Sequence, residues 1–148
     1  MDTLKKNERL GNFYLREILF RRGKHMFHYP FLVIYLCSPQ DDLSQWFTSR
    51  KRIASNARFD YPAKCLVGVS RRKIKKAVSR NRIKRLTREA YRQNKRDFYA
   101  FLKEKECVCM MAFIYTSVKM PAYRDIEGAV QTALETIKEQ IAADHTTC

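Results

Sequence analysis

The feature that most restricts the fold of this chain is a strongly basic segment near its middle. Residues 71–96 read RRKIKKAVSRNRIKRLTREAYRQNKR, in which thirteen residues are Lys or Arg and Glu89 is the only acid. A helix turns by about 100° per residue, which gathers small and apolar residues of this segment on one side and spreads the basic ones over the rest. The gathered residues are Ser79, Ile83, Leu86 and Ala90. With so few acids, ion pairs between successive helical turns cannot neutralise the bases. The segment therefore predicts an amphipathic helix with a narrow apolar stripe and a broad cationic surface for a polyanionic partner.

The rest of the composition predicts a single folded domain over 1–148. A length of 148 residues suffices for one hydrophobic core and is short for two. A hydrophobic fraction of 45%, with nine Phe and eight Tyr, excludes a disordered basic tail. The formal net charge of +15 is better explained by binding than by solubility. Phosphate backbones are the first expected counter-charge, and an anionic membrane surface is the second.

The apolar runs and the cysteines indicate the cellular setting. Every apolar run is far shorter than the roughly 20 residues that cross a bilayer, and MDTLKKNERLGN at the start lacks the apolar core of a signal peptide. The five cysteines are odd in number and include no C-x-x-C spacing, so we expect neither a disulfide framework nor a zinc site. Burial as small hydrophobic residues is the expected role of Cys107 and Cys109. These features predict a cytoplasmic protein.

Hydrophobic periodicity predicts the order helix, two or three strands, basic helix, strand and helix. The first helix is YLREILF at Tyr14–Phe20, ended by two arginines and Gly23. Strands are expected in HMFHY and FLVIYL on either side of Pro30, in KCLVGVS at Lys64–Ser70, and in the interior at Val108–Tyr115. The basic helix is expected to start between Ile74 and Ala77 and to end at about Asn94, and the last helix to run from near Pro121 to about Ala143. We expect residues 38–62 to form a long connection between strands, with a helical turn around 43–53. We expect residues 144–148 to form a flexible tail.

The core of the basic helix, RNRIKR within AVSRNRIKRLTR at Ala77–Arg88, resembles the arginine-rich signature of the protein subunit of bacterial ribonuclease P. An early ERL, a helix ending in RRG, the FLVIYL strand and GVS directly before the basic helix follow the order of that family. The resemblance covers roughly Glu8 to Ile141 outside residues 38–62. It implies an α+β fold, a two-layer α/β sandwich of three helices and a four-stranded, mostly antiparallel sheet. It also implies a left-handed βαβ crossover through the basic helix, which periodicity alone could never suggest.

The same resemblance implies a function in the endonucleolytic maturation of tRNA. The chain would join a catalytic RNA and promote removal of the 5′ leader from precursor tRNA. The catalytic centre is expected on the RNA, with Mg²⁺ held chiefly there, so we expect no catalytic or metal-binding residue on this chain and no obligate protein partner. The planar guanidinium group of arginine can donate two parallel hydrogen bonds to a phosphate, and an Asn side chain offers RNA both a hydrogen-bond donor and an acceptor. The residues expected to contact the catalytic RNA are Arg80, Asn81, Arg82, Lys84, Arg85 and Arg88.

A second surface implied by the resemblance is a cleft between the first helix and the sheet, which would hold the single-stranded leader. Phe20 is the best-placed aromatic of that helix, and Arg16 stands where the family usually has another ring. Either face of FLVIYL could line the cleft: Phe31, Val33 and Tyr35, or Leu32, Ile34 and Leu36. We favour the first face because the Tyr35 ring could stack on a base while its hydroxyl stays solvated. Core packing is the competing interpretation for each of these apolar residues.

Other functions remain to be compared with this one. A structural RNA-binding protein of ribosomal or assembly-factor type would share the charge and the aromatic content. A protein-only nuclease would need clustered carboxylates, and Asp41 and Asp42 lack a third acid nearby in sequence. A DNA-binding helix-turn-helix is disfavoured by the predicted strands, and membrane binding by an apolar stripe poor in Trp, Phe and Leu.

Overall fold

The computed structural model describes residues 4–40 and 61–146, with side chains up to Asp144. Its elements are a 3-10 turn at Lys6–Glu8, α1 (Phe13–Arg22), β1 (Lys24–His28), β2 (Phe31–Pro39), β3 (Ala63–Val69), α2 (Ala77–Glu104), β4 (Cys107–Tyr115) and α3 (Tyr123–Thr146). The strand β2 extends to Pro39, slightly into the predicted long connection of residues 38–62. Most of that connection, with its predicted helical turn and the Asp41–Asp42 pair, lies outside the described residues.

The four strands form one mixed sheet in the order β1-β2-β4-β3. β1 pairs with β2 and β2 with β4 in antiparallel fashion, whereas β3 and β4 are parallel. A parallel pair needs a crossover connection, and α2 supplies it. The prediction of an α+β fold with three helices and a four-stranded, mostly antiparallel sheet is therefore confirmed. The left-handed sense of the crossover stays a prediction.

Helices cover the two faces of the sheet unequally. α2 and α3 pack on one face over a large core that contains Phe31, Phe113 and Tyr91. α1 packs on the other face over a smaller core that contains Leu15, Leu19 and Met110. The apolar stripe predicted for α3 is buried, and β4 is buried on both faces as predicted. The sheet face beneath α1 is the one that α2 and α3 leave open.

The described cysteines are free thiols. Cys65, Cys107 and Cys109 are buried, which confirms that the last two act as small hydrophobic residues. Burial raises the pKa of the Cys65 and Cys109 thiols, so both stay protonated at neutral pH.

Two helices end later than periodicity predicts. α2 ends at Glu104 rather than near Asn94, because Phe98, Tyr99 and Leu102 continue its buried side beyond the basic segment. α3 ends at Thr146 rather than at about Ala143, so the predicted tail at 144–148 overlaps a helix whose last turn carries polar residues. Residues 147–148 lie outside the described chain.

Local contacts set the position of α1. The side chain of Asn12 caps its first turn by accepting a hydrogen bond from the backbone N–H of Leu15 at 3.0 Å. At its other end, a Cβ added to Gly23 would overlap the carbonyl oxygen of Leu19 and lie 2.8 Å from Cγ2 of Ile34. Only glycine therefore allows α1 to end directly against β2 and continue into β1.

Candidate nucleic-acid interface

The predicted cationic surface of α2 exists and faces outward. Ile83 and Ala90 lie in the core, whereas Asn81, Arg82 and Arg85 are exposed on the other side of the helix and Lys84 and Arg88 are half-buried. Within the described parts of the chain, no ion pair or hydrogen bond engages the side chains of Arg82, Lys84, Arg85 and Arg88. Their charges are therefore available to an external anion.

Arg80 differs from the other residues predicted to contact RNA. Its Nη1 donates hydrogen bonds to the backbone oxygens of Ile74 at 3.0 Å and Lys75 at 2.7 Å. Those carbonyls lie in the loop that leads into α2, so the guanidinium group holds this loop against the helix. The sequence predicted Arg80 only as a surface contact, because the position of its carbonyl partners depends on the fold.

One end of the α2 surface is concave. Asn81, Arg85, Arg88 and Arg92 of α2 line a depression of about 490 Å³ together with Leu4, Arg9 and Glu89. Arg92 pairs with Glu89, Nη2 to Oε1 at 2.5 Å, and this contact holds the Glu89 pKa at about 2. The acid in the depression is thus already satisfied by Arg92. Among residues 4–40 and 61–146, no acid compensates the guanidinium groups of Arg9, Arg85 and Arg88, which surround a cavity large enough for a phosphate.

The N-terminal segment that carries Arg9 is fixed by a buried ion pair of the preceding residue, Glu8. The Oε1 of Glu8 lies 2.6 Å from the Nζ of Lys95, with side-chain exposures of 0% and 9%. Glu8 also accepts a hydrogen bond from the backbone N–H of Lys5 at 2.5 Å. The next turn of chain is fixed by a hydrogen bond from the N–H of Leu10 to the oxygen of Cys65 at 2.9 Å. Sequence reasoning identified the ERL segment but assigned no role to Arg9, because the partner of Glu8 is 87 residues away.

A second candidate surface lies on α1. Phe13 is 70% exposed and Phe20 is 44% exposed, and Arg16 lies between them on the same side of the helix. These three residues line one depression together with Glu17 and Arg21. Nε of Arg16 is buried and has no hydrogen-bond partner among the described residues, so a ligand oxygen could reach this donor only after the side chain shifts. Phe13 is absent from the predicted site residues, although its spacing of two helical turns from Phe20 places both rings on one side of α1.

The structure places the favoured face of β2 on the side of the sheet away from α1. Phe31 and Val33 are fully buried and Tyr35 is 7% exposed, all in the core beneath α2 and α3. Phe31 packs edge-to-face against Phe113 and Tyr115, with ring centroids 5.8 and 5.7 Å apart. The opposite residues Leu32, Ile34 and Leu36 belong to the core beneath α1. Alternation along the strand allowed both assignments, and the side on which the two long helices pack decides between them.

The strand register reveals an apolar row beside α1. Phe27 pairs with Leu32, Leu32 with Ile114, and Ile114 with Gly68, so these four residues cross all four strands. We call them the transverse row. Leu32, Ile114 and Gly68 are half-buried and Phe27 is exposed, whereas Ile34 and Ala112 in the next row are buried in the α1 core. The transverse row is thus the open part of the sheet face on which α1 sits.

The described residues contain no group of three or more His, Cys, Asp or Glu side chains that could hold a metal ion. No helix in the same residues is long and apolar enough to cross a membrane.

Comparisons with known proteins agree with this geometry. A model of the ribonuclease P protein family matches residues 4–138. Ribonuclease P protein components from two strains of Porphyromonas gingivalis are 36% identical to this chain over 134 residues, which span 88% of the chain and 83% of each relative.

Solved structures show the same fold. The ribonuclease P protein of Staphylococcus aureus aligns with a TM-score of 0.61 at 17% identity, over 88% of this chain and 95% of that protein. A mutant of that protein with defective mRNA degradation activity aligns with a TM-score of 0.64 at 17% identity, over 91% and 92%. The likeness to these structures concerns the fold alone. The family match and the two relatives, by contrast, cover most of the sequence, and on that evidence the chain belongs to the ribonuclease P protein family.

Proposed function

We propose that this chain is the protein subunit of a ribonuclease P ribonucleoprotein that binds the catalytic RNA through α2 and the 5′ leader of precursor tRNA through α1. Family membership makes it a component of an endoribonuclease with an RNA partner and a tRNA substrate. The proposal adds which surface contacts which RNA. The observation that carries it is the group of arginines on α2 that no acid of the described chain neutralises.

The α2 surface suits a folded RNA because its charges are fixed on one helix. Arg82, Lys84, Arg85 and Arg88 project from successive turns, and Arg9 adds a charge from a second segment. Each phosphate contact contributes about 0.7 to 0.9 to the slope of log K against log salt concentration. Five contacts therefore predict that log K falls by about 3.5 to 4.5 for each tenfold rise in salt concentration. Asn81 adds a donor and an acceptor for a ribose hydroxyl or a base edge.

The α1 surface suits a single strand because it presents aromatic rings rather than a dense charge. Phe13 and Phe20 offer faces on which bases can stack, and Arg16 between them can bind a phosphate or stack by its guanidinium plane. The transverse row supplies an apolar floor beside the helix. We place the leader along this face in preference to the buried face of Phe31, Val33 and Tyr35.

In this proposal the catalytic RNA, and not the protein, carries out the cleavage. Mg²⁺ ions held chiefly by the catalytic RNA would activate the attacking water and stabilise the leaving oxygen. The cations of α2 would reduce the repulsion between the catalytic RNA and its tRNA substrate, so the protein would lower the Mg²⁺ concentration that the complex needs.

Leader contact can be tested by comparing precursor and mature tRNA. In the complex with catalytic RNA, Phe20→Ala should weaken binding of precursor tRNA by about 1 to 3 kcal/mol, the value of one base stacked on an aromatic ring. Binding of mature tRNA should be unchanged because it carries no leader. Gln140→Ala, at an exposed position of α3 outside both proposed RNA surfaces, is the control. Equal losses for both tRNAs would contradict leader contact, and equal binding of both tRNAs by the wild type would favour a structural RNA-binding protein instead.

A further inference from the structure

Of two exposed aromatic residues at the β1–β2 hairpin, the function proposed above uses Phe27 only as one end of the transverse row and gives Tyr29 no role. Phe27 is 59% exposed and Tyr29 is 65% exposed. Their rings contact each other edge-to-face, with centroids 6.5 Å apart and an interplanar angle of 60°. Large aromatic side chains gain most of their stabilisation from burial, so a contiguous exposed pair indicates a surface that another molecule covers.

Phe27 is continuous with the surface proposed for the leader. It pairs directly with Leu32 across the hairpin, and Leu32 belongs to the core beneath α1. Because paired residues of neighbouring strands lie on the same face, Phe27 lies on the α1 side of the sheet. It forms the outer end of the transverse row, at the edge strand β1.

Tyr29 is held in place by contacts outside its own hairpin. Its hydroxyl lies 3.2 Å from the Oγ of Ser117, in the loop after β4. The backbone of Thr116 donates a hydrogen bond to the oxygen of Pro30 at 2.9 Å. These contacts fix the hairpin end against the loop, so the two rings form a preformed platform.

The surroundings of the platform favour an anionic strand. Tyr29 lines a depression of about 510 Å³ between the hairpin and α3, together with His28, Arg124, Asp125 and Thr132. Arg124, Asp125 and the nearby loop residue Lys119 are all exposed, so two cations stand against one carboxylate. A nucleic-acid strand uses both features, since its bases stack on rings of any orientation and its phosphates bind neighbouring cations. An apolar protein partner would use only the rings.

We propose that the Phe27–Tyr29 platform is a second binding site for single-stranded RNA, which receives leader nucleotides upstream of those held at α1. This inference rests on the proposed function, because the strand must first lie along the transverse row. That row crosses four strands at a spacing of about 4.8 Å, a total of about 14 Å. Stacked nucleotides advance about 3.4 Å each, so the platform is reached only by a leader of at least about four nucleotides when stacked.

The test is the affinity of the complex with catalytic RNA for precursor tRNAs whose leaders grow from one to about ten nucleotides, a range that spans common single-strand site sizes. Wild-type affinity should rise in two steps as the leader lengthens. Phe27→Ala combined with Tyr29→Ala should abolish the second step, lowering affinity for long leaders by about fivefold or more, and should leave short leaders unaffected. Thermal unfolding of the same variant should lie close to that of the wild type, because both side chains are exposed and the Tyr29–Ser117 hydrogen bond is a single long contact at 3.2 Å.

Conservative variants separate stacking from apolar contact. Phe27→Leu keeps an apolar side chain without a ring and should behave like the alanine variant on long leaders. Tyr29→Phe keeps the ring without the hydroxyl and should bind long leaders nearly as the wild type does, because the Thr116–Pro30 hydrogen bond still fixes the hairpin end. Full binding by Phe27→Leu would overturn the proposal in favour of a general apolar contact.

Measuring Phe20→Ala beside the platform variants distinguishes failure of the second site from failure of the proposed leader surface. If Phe20→Ala loses the preference for precursor tRNA while the platform variants bind all leaders normally, the second site is refuted and the proposed function stands. If Phe20→Ala also binds normally, the leader surface itself is refuted. Self-association of the free protein that disappears in the platform variants would overturn the RNA assignment in favour of a contact between copies of the chain.

Discussion

A Lys95→Met substitution tests how the fold holds Arg9 in the RNA-binding depression. The substitution leaves the carboxylate of Glu8, which is fully buried, without the ammonium group 2.6 Å away. Removal of one partner from a buried ion pair typically costs about 3 to 5 kcal/mol. At about 2 to 4 °C per kcal/mol for a chain of this size, the Tm should fall by roughly 6 to 20 °C.

The same substitution should weaken RNA binding without touching the RNA surface directly. If the Glu8 segment leaves its buried position, Arg9 leaves the depression with it. The slope of log K against log salt should then fall by about 0.7, the value of one phosphate contact. Arg9→Ala should lower the slope by the same amount, and the two changes should not add when combined, because they remove the same contact.

A paired replacement provides the control. Glu8→Gln together with Lys95→Met removes both charges, so most of the lost free energy of unfolding should return. Circular dichroism would follow unfolding, and filter binding at several salt concentrations would measure the slope. A Lys95→Met protein that unfolds within about 0.5 kcal/mol of the wild type and keeps its salt slope would refute the role of the ion pair.

Three further variants, the first of them a double substitution, separate binding residues from structural ones. Arg82→Ala with Arg85→Ala should weaken binding of the catalytic RNA by about 2 to 4 kcal/mol, two charge-assisted contacts at 1 to 2 each, with little change in Tm; an unfolded double variant would contradict this. Arg80→Ala should lower the free energy of unfolding by about 1 to 3 kcal/mol, measured in urea, because it frees two backbone carbonyls. An unchanged urea midpoint would show that these contacts are dispensable. Glu106→Gly should raise the free energy of unfolding by about 1 kcal/mol, since Glu106 has φ of 54° after α2; no gain would mean that its neighbours already compensate the strain.

Local patterns predicted the elements whose environment is uniform along their length. The apolar stripe of α3 and the continuous apolar run of β4 each match one kind of burial, and both are found where expected. The stripe of the basic helix likewise placed Ile83 and Ala90 in the core and Arg82 and Arg85 on the surface. Local hydrophobic patterns suffice in these cases because the environment stays the same along each face of the element.

Structural features that depend on residues far away in the sequence could not be predicted from local patterns. Both faces of β2 are apolar because both are covered, so alternation could not tell the Tyr35 face from the Ile34 face. Arg9 became a candidate only through the pairing of Glu8 with Lys95. The transverse row exists only once the strand order and register are known, because its four members come from four separate strands.

The most direct test of the proposed function is cleavage of precursor tRNA by the catalytic RNA at low magnesium concentration, with and without this protein. The wild-type protein should restore cleavage under conditions in which the RNA alone is nearly inactive, because the cations of α2 replace part of the magnesium requirement. The protein carrying Arg82→Ala and Arg85→Ala should restore much less, although it is folded. Cleavage that is no faster with the wild-type protein than with RNA alone would contradict the assignment of α2 as the surface that binds the catalytic RNA.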